Sequence, residues 1–185
     1  DKVIALHAQG ALVALNSKDG ELVWRTNIVA QHNSRVPFYG MTTSPILYKN
    51  ILIVATGGKQ NSAISAFELG TGKIRWASGA DNVDYQSPGI YTISGKDQLI
   101  FTGNNYVYGL TPETGDILWQ FTHGGSGSRG IRSANLVEVK PNHFLIKDKG
   151  GSAGLFQVKA ISDSFEINEV WRTRHIKRTV VVPVY

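Results

Sequence analysis

Residues 106–121 read YVYGLTPETGDILWQF, and the same pattern occurs twice earlier in the chain. Aligned on their tryptophans, the earlier copies are residues 12–27 (LVALNSKDGELVWRTN) and 64–78 (ISAFELGTGKIRWAS), and Trp171 in EINEVWRTR marks a fourth, weaker copy. The tryptophans are therefore spaced by 52, 43 and 52 residues. Repeats of about 40 to 50 residues with several short strands in each are typical of β-propeller blades.

Two further markers recur with the tryptophans. A glycine lies four residues before each of the first three tryptophans, whereas the fourth copy has Ile167 at that place. Those glycines are Gly20, Gly72 and Gly115. A Ser-Pro pair or its remnant then follows each tryptophan, as Ser44-Pro45, Ser87-Pro88, Ser133-Ala134 and Val182-Pro183. The repeat is therefore complete three times and degraded once.

The composition is that of a soluble globular protein, with 42% hydrophobic and 18% charged residues in 185. No window approaches 18 consecutive apolar residues, which predicts no membrane-spanning helix, and the first residues lack the apolar core of a signal peptide. The absence of cysteine excludes disulfides, thiolate metal ligands and cysteine nucleophiles. The net charge of +5 allows an anionic partner without requiring one.

Turn residues divide the chain into short strands in groups of three, four, four, four and one, with no segment of helical period. The sequence predicts an all-β fold, an antiparallel β-propeller of four-stranded blades. The predicted blades are residues 1–27 together with 179–185, then 43–78, 87–122 and 133–173. Two explanations of the unequal ends remain open. Either the last strand completes the first blade of a four-bladed ring, or the chain is a piece of a larger propeller, closed by missing sequence or by a second copy.

The repeated glycines and tryptophans are expected to be structural. Each glycine lies in a DG or TG turn between two strands, where a positive φ is needed. Each tryptophan, at position 24, 76, 119 or 171, lies on the outermost strand of its blade, where it can pack against the next blade while its indole N–H donates to a carbonyl. The small residues Ala14, Ala66 and Gly109 on the preceding strand leave room for these rings.

The pattern A-L/F-x-x-x-T/D-G-x-x-x-W followed by S-P resembles the PQQ-like repeat, the blade motif of the quinoprotein alcohol dehydrogenase-like propellers. SPILYKNILIVATGG and VWRTRHIKRTVVVPVY are similar to BamB-like proteins of the outer-membrane assembly machinery. The resemblance covers the whole chain and implies a ring of about eight blades, a periplasmic or cell-envelope location and a protein partner. Asn16, Glu68 and Thr111 stand near the position where the repeat usually has Asp.

Catalytic signals are weak. The resemblance to quinoproteins implies pyrroloquinoline quinone (PQQ) and Ca²⁺ held on the propeller axis beside a catalytic Asp, but no calcium ligand set can be assigned to this sequence. The glycine-rich segment 123–132 is not followed by a helix that would help it to bind phosphate, so it is interpreted as a connection between blades. No cofactor is therefore predicted, and PQQ and calcium belong only to an alternative oxidoreductase function.

One face of the predicted propeller is expected to bind a partner. The loops between successive blades and the loops between second and third strands meet on this face. Its basic residues are Arg35, Lys59, Arg129, Arg132, Arg174, Lys177 and Arg178, opposed by Asp81 and Asp84. Phe38, Tyr39 and Tyr85 add aromatic side chains of the kind found at interaction sites. The alternative is that charges simply collect in solvated loops.

The function expected from the sequence is a non-catalytic scaffold that binds a protein or an extended peptide, with strand addition at exposed blade edges as one physical route. Nucleic-acid binding is not expected, because interleaved basic and aromatic strands are absent.

Overall fold

The computed structural model describes residues 1–83, 85–123, 135–147 and 152–176. In these ranges, 15 strands form four antiparallel sheets, one with three strands and three with four. Strands that follow one another along the chain are neighbours in each sheet, so each sheet is a four-stranded or three-stranded meander. This arrangement confirms the predicted all-β propeller built from antiparallel blades.

Each blade takes its strands in chain order, from the innermost to the outermost. Blade 1 contains β1 (Lys2–Leu6), β2 (Ala11–Asn16) and β3 (Leu22–Asn27). Blade 2 contains β4 (Ile46–Tyr48), β5 (Ile51–Gly58), β6 (Ser62–Glu68) and β7 (Ile74–Ser78). Blade 3 contains β8 (Gly89–Ile93), β9 (Lys96–Thr102), β10 (Tyr106–Leu110) and β11 (Ile117–Thr122). Blade 4 contains β12 (Val137–Lys140), β13 (His143–Lys147), β14 (Ala153–Ile161) and β15 (Ser164–Thr173). The strand expected at 179–185 lies outside the described residues.

The middle strands of the blades form the core. All eight residues of β5, ILIVATGG, are buried, because this strand has a neighbour on each side and is covered on both faces. The outer strands β3, β7 and β11 are buried on one face only, and in β3 the pattern leaves Trp24 as the buried residue. One apolar cluster joins blades 1, 2 and 3, and a second joins blades 3 and 4. Burial of these side chains is the main source of stability.

A β-bulge recurs in the outer hairpin of every blade. In blade 1, Ala14 pairs with Trp24 and Leu15 pairs with Leu22, so Val23 has no partner across the ladder. The residues at the same position in the other blades are Arg75, Leu118 and Val170. A bulge makes two consecutive side chains point to one face, which explains why Leu22 and Val23 are both exposed.

A short helix, α1 (Ile28–His32), lies in the connection between blades 1 and 2, although the sequence showed no segment of helical period. The Asn27 side chain caps its N-terminus by accepting a hydrogen bond from the Ala30 N–H at 2.9 Å. Asn33 ends it in the left-handed conformation, with φ of 47°. Five residues are too few to show helical periodicity, which is why the pattern does not reveal α1.

The two faces of the propeller differ in their connections. The loop face carries the described residues 7–10, 28–45, 57–61, 79–83, 85–88, 103–105 and 174–176. The turn face carries the tighter connections at 17–21, 49–50, 69–73, 94–95, 111–116, 141–142 and 162–163. Among the described residues, no helix is long and apolar enough to cross a membrane.

Candidate functional site

The repeated glycines and tryptophans join neighbouring blades. The ring of Trp24 in blade 1 lies over Gly72 in the turn of blade 2, and an ideal Cβ on Gly72 would be 2.6 Å from Trp24 Cε3. The Trp24 indole N–H donates to the Leu69 carbonyl in the same turn at 3.0 Å. Trp76 repeats this contact one blade further on, over Gly115, with its N–H on the Pro112 carbonyl at 3.1 Å. The tryptophan and the glycine of the repeat therefore hold successive blades together through direct packing and a hydrogen bond.

The third tryptophan behaves differently. Trp119 is buried over Gly109 of its own blade and donates its indole N–H to Gln98 Oε1 at 2.7 Å. Blade 4 offers no glycine turn at the matching place, because Ile167 pairs with Val158 inside the β14–β15 hairpin, which continues to Ser162. The expected contact with a turn carbonyl of the next blade is therefore replaced by a contact within blade 3.

The fourth tryptophan is partly exposed. Trp171 has 43% of its surface accessible, and its partner across the ladder is Leu155 rather than a small residue. Ala14, Ala66 and Gly109 hold the corresponding position in the first three blades.

Gly20, the first of the repeated glycines, has φ of +75°, and no atom lies within 4 Å of the place where a Cβ would stand.

Asp81 needs a correction, because the sequence interpretation counted it in the exposed charge of the loop face. Asp81 is buried, and its carboxylate accepts hydrogen bonds from the backbone N–H groups of Asn82, Asn105 and Tyr106 and from the Asn105 side-chain amide. These distances lie between 2.7 and 3.0 Å. Asp81 thus closes the β9–β10 turn against the connection between blades 2 and 3. No sequence signal distinguished it from a surface acid.

An aromatic cluster formed by Phe38, Tyr39 and Tyr85 lies on the loop face. The ring centroids of Phe38 and Tyr39 are 5.0 Å apart and edge to face, and those of Tyr39 and Tyr85 are 5.8 Å apart. The Tyr85 hydroxyl accepts a hydrogen bond from the Tyr39 N–H at 3.2 Å, which ties the two loops together. Phe38 is 91% exposed and Tyr39 59%, so the cluster presents its rings to solvent.

A pocket of about 360 Å³, called here the loop-face pocket, opens on the same face. Its lining residues are His32, Asn33, Arg35, Gly57, Lys59, Gln60 and Asn82. They come from α1 and the residues after it, from the tip of the β5–β6 hairpin and from the connection between blades 2 and 3. No acidic residue is among these described lining residues. The structure therefore brings two of the predicted basic residues, Arg35 and Lys59, into one cavity.

Glycine at position 57 sets the position of the hairpin tip. The β5–β6 ladder shifts register between Ala55 and Gly58, and Gly57 has φ of +73°. An ideal Cβ on Gly57 would be 2.8 Å from Val83 Cγ2, so any other residue would push the hairpin away from the segment that carries Asn82. The bulge at Gly57 therefore keeps the two walls of the pocket together.

His32 forms the inner wall of the pocket and is half-buried. Its Nε2 lies 3.3 Å from Ser65 Oγ, which lies 3.1 Å from Thr56 Oγ1, and the Thr56 hydroxyl donates to the Ser62 carbonyl at 2.6 Å. Because the Thr56 proton is used there, Ser65 donates to Thr56, and His32 Nε2–H donates to Ser65. Burial lowers the pKa of His32 below 6.5, which favours this neutral ring.

A second cavity, of about 610 Å³, lies on the turn face between blades 3 and 4. Its lining residues include three acids, Asp97, Glu113 and Asp163, and one base, Lys96. Lys49 beside the cavity forms an ion pair with Glu113, and the Tyr48 hydroxyl lies 3.0 Å from Glu113 Oε1 and 3.3 Å from Asp97 Oδ2. The hydrogen bond from Lys49 lowers the pKa of Glu113. The described lining of this cavity therefore has an excess of negative charge, opposite in sign to that of the loop-face pocket.

The remaining predicted binding residues are only partly placed by the structure. Arg174 is exposed just after β15, on the loop face. Five charged residues lie outside the described residues, namely Asp84, Arg129, Arg132, Lys177 and Arg178. His123 at the start of the glycine-rich segment is buried, with Nε2 3.1 Å from the Gly103 carbonyl, and the rest of that segment is also outside the described part. The site rests on the aromatic cluster and the loop-face pocket.

The family model described as "Outer membrane protein assembly factor BamB" matches residues 1–181. The chain belongs to this family. The solved BamB structure from Moraxella catarrhalis has a TM-score of 0.61 and 13% identity, and the match covers 96% of this chain and 62% of that one. This likeness to the BamB structure shows the shared fold.

Quinoprotein dehydrogenases are also similar to this BamB-family chain. Quinohemoprotein alcohol dehydrogenase ADH IIB from Pseudomonas putida is 26% identical over 129 residues, which is 68% of this chain and 16% of that protein. The solved quinohemoprotein alcohol dehydrogenase from Comamonas testosteroni has a TM-score of 0.58 and 15% identity, over 84% of this chain and 32% of that one. The chain thus spans less than a fifth of the curated relative and under two thirds of the BamB structure.

The dehydrogenase resemblance implies calcium beside PQQ, and calcium requires several oxygen ligands close together. The described residues bring together no group of three or more His, Asp or Glu side chains suited to a metal ion. Asp81, the most buried acid named above, already accepts four hydrogen bonds. The described part of this BamB-family chain therefore does not fit a carboxylate calcium site.

Proposed function

We propose that this BamB-family chain is a non-catalytic propeller scaffold whose loop face binds a protein or an extended peptide. The observation that carries the proposal is the aromatic cluster of Phe38, Tyr39 and Tyr85. Large aromatic side chains are enriched where proteins meet, because they offer a wide contact area with few rotatable bonds. Water surrounds nearly all of the Phe38 side chain, so a partner that covered it would gain apolar burial.

The rigidity of the cluster supports the same function. The Tyr39 N–H bond to the Tyr85 hydroxyl holds the loop after α1 against the connection between blades 2 and 3. Gly40, at φ of +88°, ends that loop next to Ala8, and the Met41 N–H donates to the Ala8 carbonyl at 2.8 Å. A surface that is ordered before binding loses less conformational entropy when it binds.

Strand addition at the rim is a second route to a peptide partner. In the described part of the chain, β3, β7 and β11 are the outer edges of their sheets, and each carries exposed apolar residues, among them Leu22, Ile74 and Ile117. An extended peptide can add to such an edge through main-chain hydrogen bonds. A cell-envelope location and a role in outer-membrane protein assembly agree with the name of the family and are part of the proposal.

Peptide selection tests the proposal directly. A random peptide library displayed on phage is selected on the 185-residue chain, and the enriched peptides are then measured against a Phe38→Ser/Tyr39→Ser double variant. A Leu47→Ser/Ile161→Ser variant is the matched control, since it removes two exposed apolar residues that lie outside the loop face and the outer strand edges. Selective loss of binding in the loop-face variant supports the proposal. Absence of enrichment, or peptides that bind both variants as tightly as the wild type, contradicts it.

Ring completion by a second copy is a separate part of the proposed partnership. The exposed Trp171 and Val170 on β15 give blade 4 an apolar outer surface that another blade can cover. Light scattering of the 185-residue chain measures this association. A dimer supports ring completion by self-association, and a monomer at all concentrations contradicts it.

A quinoprotein oxidoreductase is the alternative function, favoured by the sequence identity to the Pseudomonas dehydrogenase. PQQ and Ca²⁺ would supply its redox chemistry. Quinone-dependent absorbance and alcohol-dependent dye reduction after addition of PQQ and Ca²⁺ would favour it, and a flat spectrum would exclude it for this chain.

A further inference from the structure

The loop-face pocket presents positive charge that nothing in the described structure compensates. Arg35 and Lys59 are both exposed, and neither forms a hydrogen bond or ion pair with a described residue. The amide side chains of Asn33, Gln60 and Asn82 line the same cavity and can donate further hydrogen bonds. The pocket therefore combines two cations with three amide groups, a donor set that suits an anion.

The pocket and the aromatic cluster are built in part from the same two segments of the chain. Arg35 and Phe38 lie three residues apart in the same loop, and Asn82 and Tyr85 lie three residues apart in the facing connection. The Tyr39–Tyr85 hydrogen bond joins these two segments between the pocket and the exposed rings. A ligand with an anionic group and a neighbouring apolar group would contact both parts at once.

We propose that the loop-face pocket binds the side-chain carboxylate of an acidic residue in the partner peptide, next to an apolar residue that packs on the aromatic cluster. This inference rests on the proposed peptide-binding function and adds the chemistry of the partner. The planar Arg35 guanidinium suits the two oxygens of a carboxylate, and Lys59 adds a second charge at the hairpin tip. An acidic peptide supplies that group without any modification.

The test uses two capped peptides that contain one Phe and either one Asp or one Asn, so that the Asp side chain is the only carboxylate. Succinate and inorganic phosphate are measured alongside them, to probe the pocket without the apolar contact. Side-chain amide signals of Asn33, Gln60 and Asn82 in the ¹⁵N NMR spectrum report occupancy. The pocket variants are Arg35→Gln and Lys59→Gln. The matched control, Lys73→Gln, removes an exposed cation from the turn face.

The expected result is that the Asp peptide shifts the three amide signals, and that each pocket variant weakens its binding by about tenfold, as for loss of one charge-assisted hydrogen bond. The Asn peptide should bind more weakly and be insensitive to both pocket variants. Lys73→Gln should leave both affinities unchanged, apart from a small effect that salt removes.

The outcomes separate this inference from the proposed function. If both peptides bind equally and the pocket variants change nothing, the carboxylate pocket is wrong while peptide binding stands. If succinate occupies the wild-type pocket but not the variants, and no peptide binds, the pocket stands while the peptide-binding function fails. Occupancy by phosphate but by neither carboxylate probe overturns the carboxylate assignment, as does the absence of any shift with all four probes.

Discussion

The indole of Trp24 lies directly on Gly72 of the next blade, 2.6 Å from the place where a Cβ would stand, and donates its N–H to the Leu69 carbonyl of the same turn. The turn has the form that a type I turn with a glycine bulge requires: the Gly72 N–H donates to the Glu68 carbonyl at 2.9 Å, and φ of Gly72 is +70°. The glycine thus serves two purposes, the turn conformation and the contact between blades.

Substitution at Gly72 separates these two purposes. Gly72→Ala should lower the free energy of unfolding by about 3 kcal/mol or more, because the new methyl group overlaps the Trp24 ring and the positive φ is strained. Gly20→Ala is the matched control, since its φ of +75° is almost the same but no atom lies within 4 Å. It should cost only about 1–2 kcal/mol. Urea unfolding measures both, and equal losses would show that the ring contact adds nothing.

The burial of the tryptophans predicts unequal effects of removing their indole groups. Trp24→Phe should cost about 2 kcal/mol, since it leaves the Leu69 carbonyl without its donor and opens space against blade 2. Trp171→Phe should change the stability of the 185-residue chain by less than about 0.5 kcal/mol, because Trp171 is partly exposed and no described hydrogen bond involves its indole. Thermal melts of both variants decide the point, and a larger loss at Trp171 would contradict the assigned packing.

Replacing the buried Asp81 by Asn keeps the size of the side chain but should still lower the stability of the fold. Asp81→Asn should cost about 2–3 kcal/mol, because the amide group brings a donor to a place where backbone N–H groups already point. Gly103 leaves little room for adjustment, since a Cβ there would be 2.4 Å from Asp81 Oδ2. The control Asp163→Asn changes an exposed acid in the β14–β15 turn and should be nearly neutral. Similar denaturation midpoints for the two variants would argue against the buried role of Asp81.

The fold could be predicted from the sequence because the blade motif repeats with its turn chemistry intact. Gly20, Gly72 and Gly115 have φ values of +75°, +70° and +76°, as positive-φ turns require, and the tryptophans of the first two copies reach the next blade. Trp119 could not be predicted, because its environment depends on how far the β14–β15 hairpin continues before it turns. The length of the β14–β15 hairpin is determined by the sequence of blade 4, and no residue near Trp119 indicates it.

The site was predictable only in part. Charge and aromatic content pointed to Arg35, Tyr39 and Tyr85. In the structure Arg35 lines the loop-face pocket, and Tyr39 and Tyr85 contact each other. The pocket itself depends on α1, which is too short to show a period, and on the bulge at Gly57, which has no periodic signal. The burial of Asp81 could not be predicted from the sequence, because its partners Asn105 and Tyr106 lie far along the chain in a different hairpin. They also donate mainly through backbone N–H groups.

His32 predicts the pH dependence of stability. Burial places its folded-state pKa below the ordinary 6.5, so the unfolded chain binds the proton first as pH falls. The unfolding free energy should therefore decrease below about pH 6.5, with no contribution from His32 above that value.

His32→Gln keeps an N–H donor for Ser65 and should remove this part of the decrease, whereas the control His175→Gln changes an exposed ring and should leave the profile unaltered. Urea unfolding across the acidic range measures the three profiles. A wild-type profile that runs parallel to that of His32→Gln would show that His32 takes up its proton equally well in the folded state, and the hydrogen-bonded neutral ring assigned to the pocket wall would be wrong.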